Sequence, residues 1–184
     1  MNATYLEYFL LLTIASLSIG CTALNSSVET QTTYLNEILD AHNNANEKEH
    51  LAHKKYGYKS KAHIMAARKK AAINKENVVK IEHFLQRYGH PSKELHGSKL
   101  TDLPFIIFST SSKSKKIILR NLTLINVAWE KQTISDKTYI FYLQSLHQSL
   151  FKQKLKLEYP FTEKQELSSL WAKLNVDGLL NDYN

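Results

Sequence analysis

Apolar residues recur at intervals of three and four along most of the chain, the spacing that gathers side chains on one face of a helix. A first helix is expected over residues 29–56, with Leu35, Ile38, Leu39, His42 and Ala45 on one face and Gly57 as its break. A second is expected over residues 59–88. Its stripe of Ile64, Ala67, Ala71, Asn74, Val78, Ile81, Leu85 and Tyr88 has the pattern of a packed seam, and its alanines admit a close neighbour. Gly89 accepts a left-handed cap and Pro91 cannot continue a helix, so the second helix stops there. A loop to Gly97 leads into a short apolar helix over 103–109. The β-branched residues there also suit a strand, but no other segment offers a partner strand. After a polar turn at 111–116, a helix over 115–130 carries Ile118, Leu122, Ile125 and Trp129 on one side. Ser135 or Asp136 caps the next, with Tyr139, Leu143, Leu146 and Leu150 as its stripe. Thr162 and Gln165 form a capping-box pair for the last helix, which buries Leu167, Leu170, Trp171 and Leu174 and ends at Gly178. Five glycines and three prolines in 184 residues leave few other interruptions. The expected fold is all-α, a compact orthogonal bundle of five or six helices.

The amino-terminal segment follows another pattern. Residues 8–19 are apolar, and the run closes on Leu17-Ser18-Ile19-Gly20-Cys21, with Cys21 the single cysteine. It is too short to cross a bilayer, which takes about 20 apolar residues. A small residue followed by cysteine after such a run resembles a bacterial lipoprotein processing site, where the leader is cut off and lipid such as palmitate is attached to the cysteine. Residues 1–20 are therefore expected as a lipoprotein signal peptide and Cys21 as the lipidation point. Two departures stand: residues 1–7 carry no Lys or Arg, and Ser18 occupies a place usually aliphatic. The alternatives are an unprocessed membrane anchor and a soluble cytoplasmic protein with Cys21 packed in a helix. Residues 21–33, rich in Ser, Thr and Asn, are expected as a flexible tether, and 34–184 as one helical domain.

Net charge is +7, and lysine supplies most of the positive side, because arginine occurs only at Arg68, Arg87 and Arg120. Specific nucleic-acid readers rely on guanidinium forks and stacking platforms, so no specific nucleic-acid partner is expected. The lysines read as scattered over polar helix faces. Their functional use would be attraction to anionic lipid or to an acidic protein surface.

From Asn77-Val78-Val79-Lys80-Ile81 to Arg87-Tyr88-Gly89-His90-Pro91 the chain resembles a helix that runs into a tyrosine-glycine-tryptophan-proline turn. The resemblance continues through Gly97, Pro104-Phe105-Ile106-Ile107-Phe108 and the leucine-rich stretch 119–128, and ends at Ile134-Ser135-Asp136-Lys137. Together, over about residues 29–153, these resemble a bacterial family of helical domains of unknown function, many of them secreted or lipid-anchored. The resemblance implies a helical fold and lends no activity. This chain departs from the family's pattern at His90, Ser109 and Lys137, where an aromatic residue, a histidine and an arginine are usual.

Candidate chemistry is sparse. Glu49, His50 and His53 share a helical face as a partial metal site, but their spacing is not that of zinc peptidases or di-iron bundles, and lysines surround them. No glycine-flanked serine, phosphate loop or dinucleotide fingerprint occurs, and no cofactor is implied. Glu82, Asp102 and Asp136 fall near turns that could converge, and with His90 they form the candidate catalytic set. Tyr88, His90, Pro91 and Lys93 form the candidate binding loop, one aromatic face with polar tips. The leading expectation is a cell-envelope accessory module that binds another envelope protein and is held to the membrane through Cys21. A small hydrolase with a pocket near Tyr88, His90 and Asp136 is one alternative, and an immunity-like partner protein is another.

Overall fold

The computed structural model describes residues 27–157 and 160–182. The expected signal peptide, Cys21 and the first part of the expected tether lie outside the described residues. The chain divides into two units, Met1–Gln31 and Thr32–Asn184, and the packing below is that of the second.

Every regular element among the described residues is helical, but the expectation of five or six helices is corrected. There are ten segments: α1 (Val28–Tyr56), α2 (Lys61–Tyr88), α3 (Lys93–His96), α4 (Ser98–Thr101), α5 (Leu103–Ser109), α6 (Ser114–Arg120), α7 (Leu122–Glu130), α8 (Asp136–Phe151), α9 (Glu163–Leu174) and α10 (Val176–Asp182). Residues 28–33, the end of the expected tether, are already helical.

Two asparagines and one loop account for the extra segments. Asn121, at φ −109° and ψ 4°, divides the expected helix 115–130 into α6 and α7. Its side-chain amide donates to Ile117 O at 2.8 Å and to Glu82 Oε1 at 2.7 Å, so it serves a carbonyl at the end of α6 while tying the break to α2. Asn175 adopts the left-handed conformation, φ 50° and ψ 56°, which asparagine tolerates better than most residues. It ends α9 three residues before Gly178, the residue expected to do so. Gly178 lies inside α10 instead, where a Cβ would run into the Asn175 side chain. In the loop after α2, Ser92 caps the single turn α3 by accepting from Leu95 N at 3.2 Å.

The core gathers around α8, which packs against α5, α6, α7 and α9. Tyr139, Tyr142, Leu143 and Leu146 of α8 meet Leu103, Ile107 and Phe108 of α5, Ile118 of α6, Leu122 and Ile125 of α7 and Leu170 of α9. The apolar stretch that also suited a strand is helix α5, with proline in its first turn. Trp129 and Trp171 are half-buried. Trp129 stacks on Tyr139 at 4.8 Å, and the two indole N–H groups donate to Asp136 and Asp177. Thr162 and Gln165 form both bonds of the capping box at the start of α9.

Helices α1 and α2 form an antiparallel hairpin along a polar seam. Asn77 Nδ2 donates to Ile38 O at 3.4 Å. One step further out, His42 Nδ1 meets Asn74 Oδ1 at 3.2 Å, and Asn46 Nδ2 donates to His42 Nε2 at 2.8 Å. With these partners the ring donates through Nδ1 and accepts through Nε2. Leu35, Ile38 and Leu39 of α1, and Val78, Ile81, Phe84 and Leu85 of α2, belong to the core. From residue 46 to residue 73, by contrast, His63 is the single buried side chain.

Candidate functional site

The turn after α2 directs its histidine inward. His90 is 7% exposed and Pro91 is also buried. His90 Nδ1 donates to Pro91 O at 3.2 Å, and Nε2 accepts from the Tyr142 hydroxyl at 3.1 Å. Burial lowers the imidazole to about 4, so the ring is neutral at ordinary pH, and burial also pushes the Tyr142 hydroxyl well above its usual value. Of the candidate binding loop, Tyr88 is half-buried, packs on Phe84 at 5.1 Å and carries the Arg87 guanidinium on its face, while Lys93 is exposed.

The candidate catalytic acids have separate partners. Glu82 receives Arg120 Nη2 at 2.6 Å and the Asn121 amide. Asp136 accepts from Trp129 Nε1 at 2.8 Å. Asp102 accepts from Thr138 Oγ1 at 3.1 Å, which brings it to the first turn of α8. None of these acids is a hydrogen-bond partner of His90, whose ring nitrogens are both occupied.

The partial metal site is dispersed as well. Glu49 Oε1 accepts from His63 Nε2 at 2.8 Å, and Glu49 Oε2 lies 3.5 Å from Lys70 Nζ. The His63 hydrogen bond, with Lys70 beside it, holds the Glu49 carboxyl below its ordinary value. His50 is exposed, and His53 packs its ring against His63 and Tyr58 at 5.3 and 5.8 Å. Among the described residues, no three of His, Cys, Asp and Glu come together to hold a metal ion.

The outer half of the hairpin has the most distinctive surface. Gly57, at φ 84°, and Lys59, at φ 66°, turn the chain, and Ser60 caps α2 by accepting from His63 N. Lys59 N donates to His63 Nδ1 at 3.2 Å, so both ring nitrogens of this buried histidine are used in closing the turn. Around this fastening the apolar side chains face outward: Tyr58 is 69% and Met65 61% exposed, with Leu51, Tyr56 and Ile64 also exposed. Residues 47–72 hold Lys48, Lys54, Lys55, Lys59, Lys61, Arg68, Lys69 and Lys70 against only Glu47 and Glu49. Eight cations and two acids give this stretch +6 of the chain's +7. Lysines also run along the rest of the chain, and it is the scarcity of acids at 47–72 that concentrates the net charge there. A running sum of charge along the sequence would have found the concentration, whereas reading each lysine on its own helix face did not.

No family model, curated protein or solved structure matches this chain. The roles of its residues therefore rest on their own geometry. Among the described residues, no helix is long and apolar enough to cross a membrane.

Proposed function

We propose that this chain is a protein-binding module of the bacterial cell envelope, anchored through lipid on Cys21, that grips another envelope protein with the tip of the α1–α2 hairpin. The observation that carries the binding reading is the coincidence at 47–72 of nearly all the net charge with outward-facing Leu51, Tyr56, Tyr58, Ile64 and Met65. A stretch in which His63 is the one buried residue from 46 to 73 gains little from its own fold, and a partner can bury it. The complementary partner is a protein surface with an apolar centre and an acidic rim. Aromatic and Met side chains supply most of the contact energy, at about 25 cal/mol per Å² of apolar area buried, and the lysines steer the encounter. The anchor rests on the Gly20-Cys21 pattern. A hydrolase reading draws no support from His90, Asp136 and Glu82, which are engaged with different partners.

Photo-crosslinking in intact cells tests this reading. A crosslinker in place of Tyr58 is expected to yield one protein adduct with an acidic contact surface, and Lys54→Glu/Lys55→Glu is expected to abolish it. The intact mass from the membrane fraction is expected to show loss of residues 1–20 and addition of lipid at Cys21. Adducts only with lipid, or the same adducts from a crosslinker at Lys164, would sink the hairpin as a protein-docking site. An unmodified Cys21 in the soluble fraction would sink the anchor.

A further inference from the structure

Nearer the core, on the flank of α2 that faces the α5–α6 turn, lies a cavity of about 650 Å³ with two unlike walls. One wall is apolar: Ala67, Ala71, Val78 and Val79 from α2, with Ile117 from α6. Val78 and Ile117 belong to the core, but Val79 is 62% exposed, so the wall offers apolar surface with nothing upon it. The rest of the lining is cationic and hydroxylic: Lys113 and Lys116 with Thr110, Ser111 and Ser112, and Lys75 from α2.

The cations around this cavity are unevenly matched. Lys70 is paired with Glu49, and Arg120 with Glu82. Glu49 is the single acid in the lining, and it already serves His63. Among the described residues, none of Lys75, Lys113 and Lys116 forms a salt bridge. Three ammonium groups lining one concave space raise a local positive potential that favours an anion. Lysine acts as a point charge with three rotatable donors, which suits the several oxygens of a phosphate more than the planar edge of a carboxylate. Ser111 and Ser112 add hydroxyls to the lining, while Thr110 Oγ1 already donates to Ile107 O at 3.0 Å, and the apolar part of the lining offers surface for a short hydrocarbon arm.

We propose that the cavity between α2 and the α5–α6 turn binds a phosphate ester with an apolar arm, the phosphate on Lys75, Lys113 and Lys116 and the arm against Ala71 and Val79. A soluble ester and a phospholipid headgroup share this chemistry. The cavity shares Glu49, Ala67, Lys70 and Ala71 with the charged stretch 47–72, but Lys75, Lys113 and Lys116 lie outside that stretch.

The test is titration of the purified full chain with three probes: inorganic phosphate, dihexanoyl phosphatidate below its micelle concentration, and phosphatidylcholine vesicles mixed with phosphatidic acid. Dihexanoyl phosphatidate is expected to bind saturably and more tightly than inorganic phosphate. Lys113→Ala/Lys116→Ala is expected to weaken it about tenfold, the loss of two exposed charge-assisted contacts. Lys164→Ala/Lys173→Ala, which removes the same charge from α9, is expected to change nothing. Val79→Ser should erase the advantage of the ester over inorganic phosphate. Binding of the vesicles alone, dependent on Lys113 and Lys116, would locate the phosphate on a membrane; binding of the soluble ester would make it a diffusible ligand. The proposal is overturned if no probe binds, if both lysine pairs matter equally, or if inorganic phosphate binds as well as the ester.

Discussion

At His90, the ring nitrogen that faces Tyr142 accepts a hydrogen bond, which a protonated ring could not do. Burial lowers this imidazole from 6.5 to about 4. Between those values the unfolded chain takes up a proton that the folded chain refuses, so stability rises with pH across this window and is lost as the pH falls through it. From pH 7 to pH 4.5 the loss from this residue comes to about 2 kcal/mol. His90→Gln keeps an acceptor for the Tyr142 hydroxyl and has no proton to gain. Its urea midpoint is expected to fall less than that of the unaltered chain over the same pH range. Equal falls would mean that His90 is not the residue that makes the fold acid-sensitive. The sequence placed His90 at a glycine-proline turn, a usual place for an exposed tip. The inward direction depends on Tyr142, 52 residues away, and no local pattern reports it.

At the scale of elements, the helices whose ends have local chemistry were legible: Gly89 at the end of α2, Ser135 at the start of α8, and Thr162 with Gln165 at the start of α9. The breaks at Asn121 and Asn175 were not, because asparagine is only a weak helix breaker. Glu82 from α2 receives the Asn121 amide and steadies one break; Gly178 leaves room for the Asn175 side chain at the other. The seam of α1 and α2 shows the same limit. Its period was readable, yet its central contact is polar, His42 against Asn74. Asn74→Ala would leave the buried His42 Nδ1–H without its acceptor, a cost of about 1–3 kcal/mol in chemical denaturation. His42→Leu/Asn74→Leu removes both partners and is expected to recover most of that loss. If the double change were as damaging as the single one, packing rather than hydrogen bonding would hold this part of the hairpin.

Across the molecule, stability and surface character are divided between two regions. The body around α8 holds the large buried side chains, while the outer hairpin has its closing histidine and little else beneath the surface. Amide hydrogen exchange is expected to follow that division. Residues 47–72 should exchange through local opening well before the amides of α8, which should wait for global unfolding. A bound partner at the tip should slow the first group and leave the second unchanged. Similar protection in both regions without a partner would contradict the picture of a hairpin that relies on itself.

The sequence alone determined the helical class, because apolar residues at three-to-four spacing gather on a helix face and no second segment offered a partner strand, and it determined several helix ends, because glycine, proline and capping hydroxyls act within one turn. It also held the charge of the hairpin tip, which needs only counting. Tertiary structure decided the direction of His90, the two asparagine breaks, the different partners of Glu82 and Asp136, and the cavity lined by Lys75, Lys113 and Lys116. Each of these depends on groups that are distant in the chain and adjacent only after packing, where burial and hydrogen-bond partners override local preference.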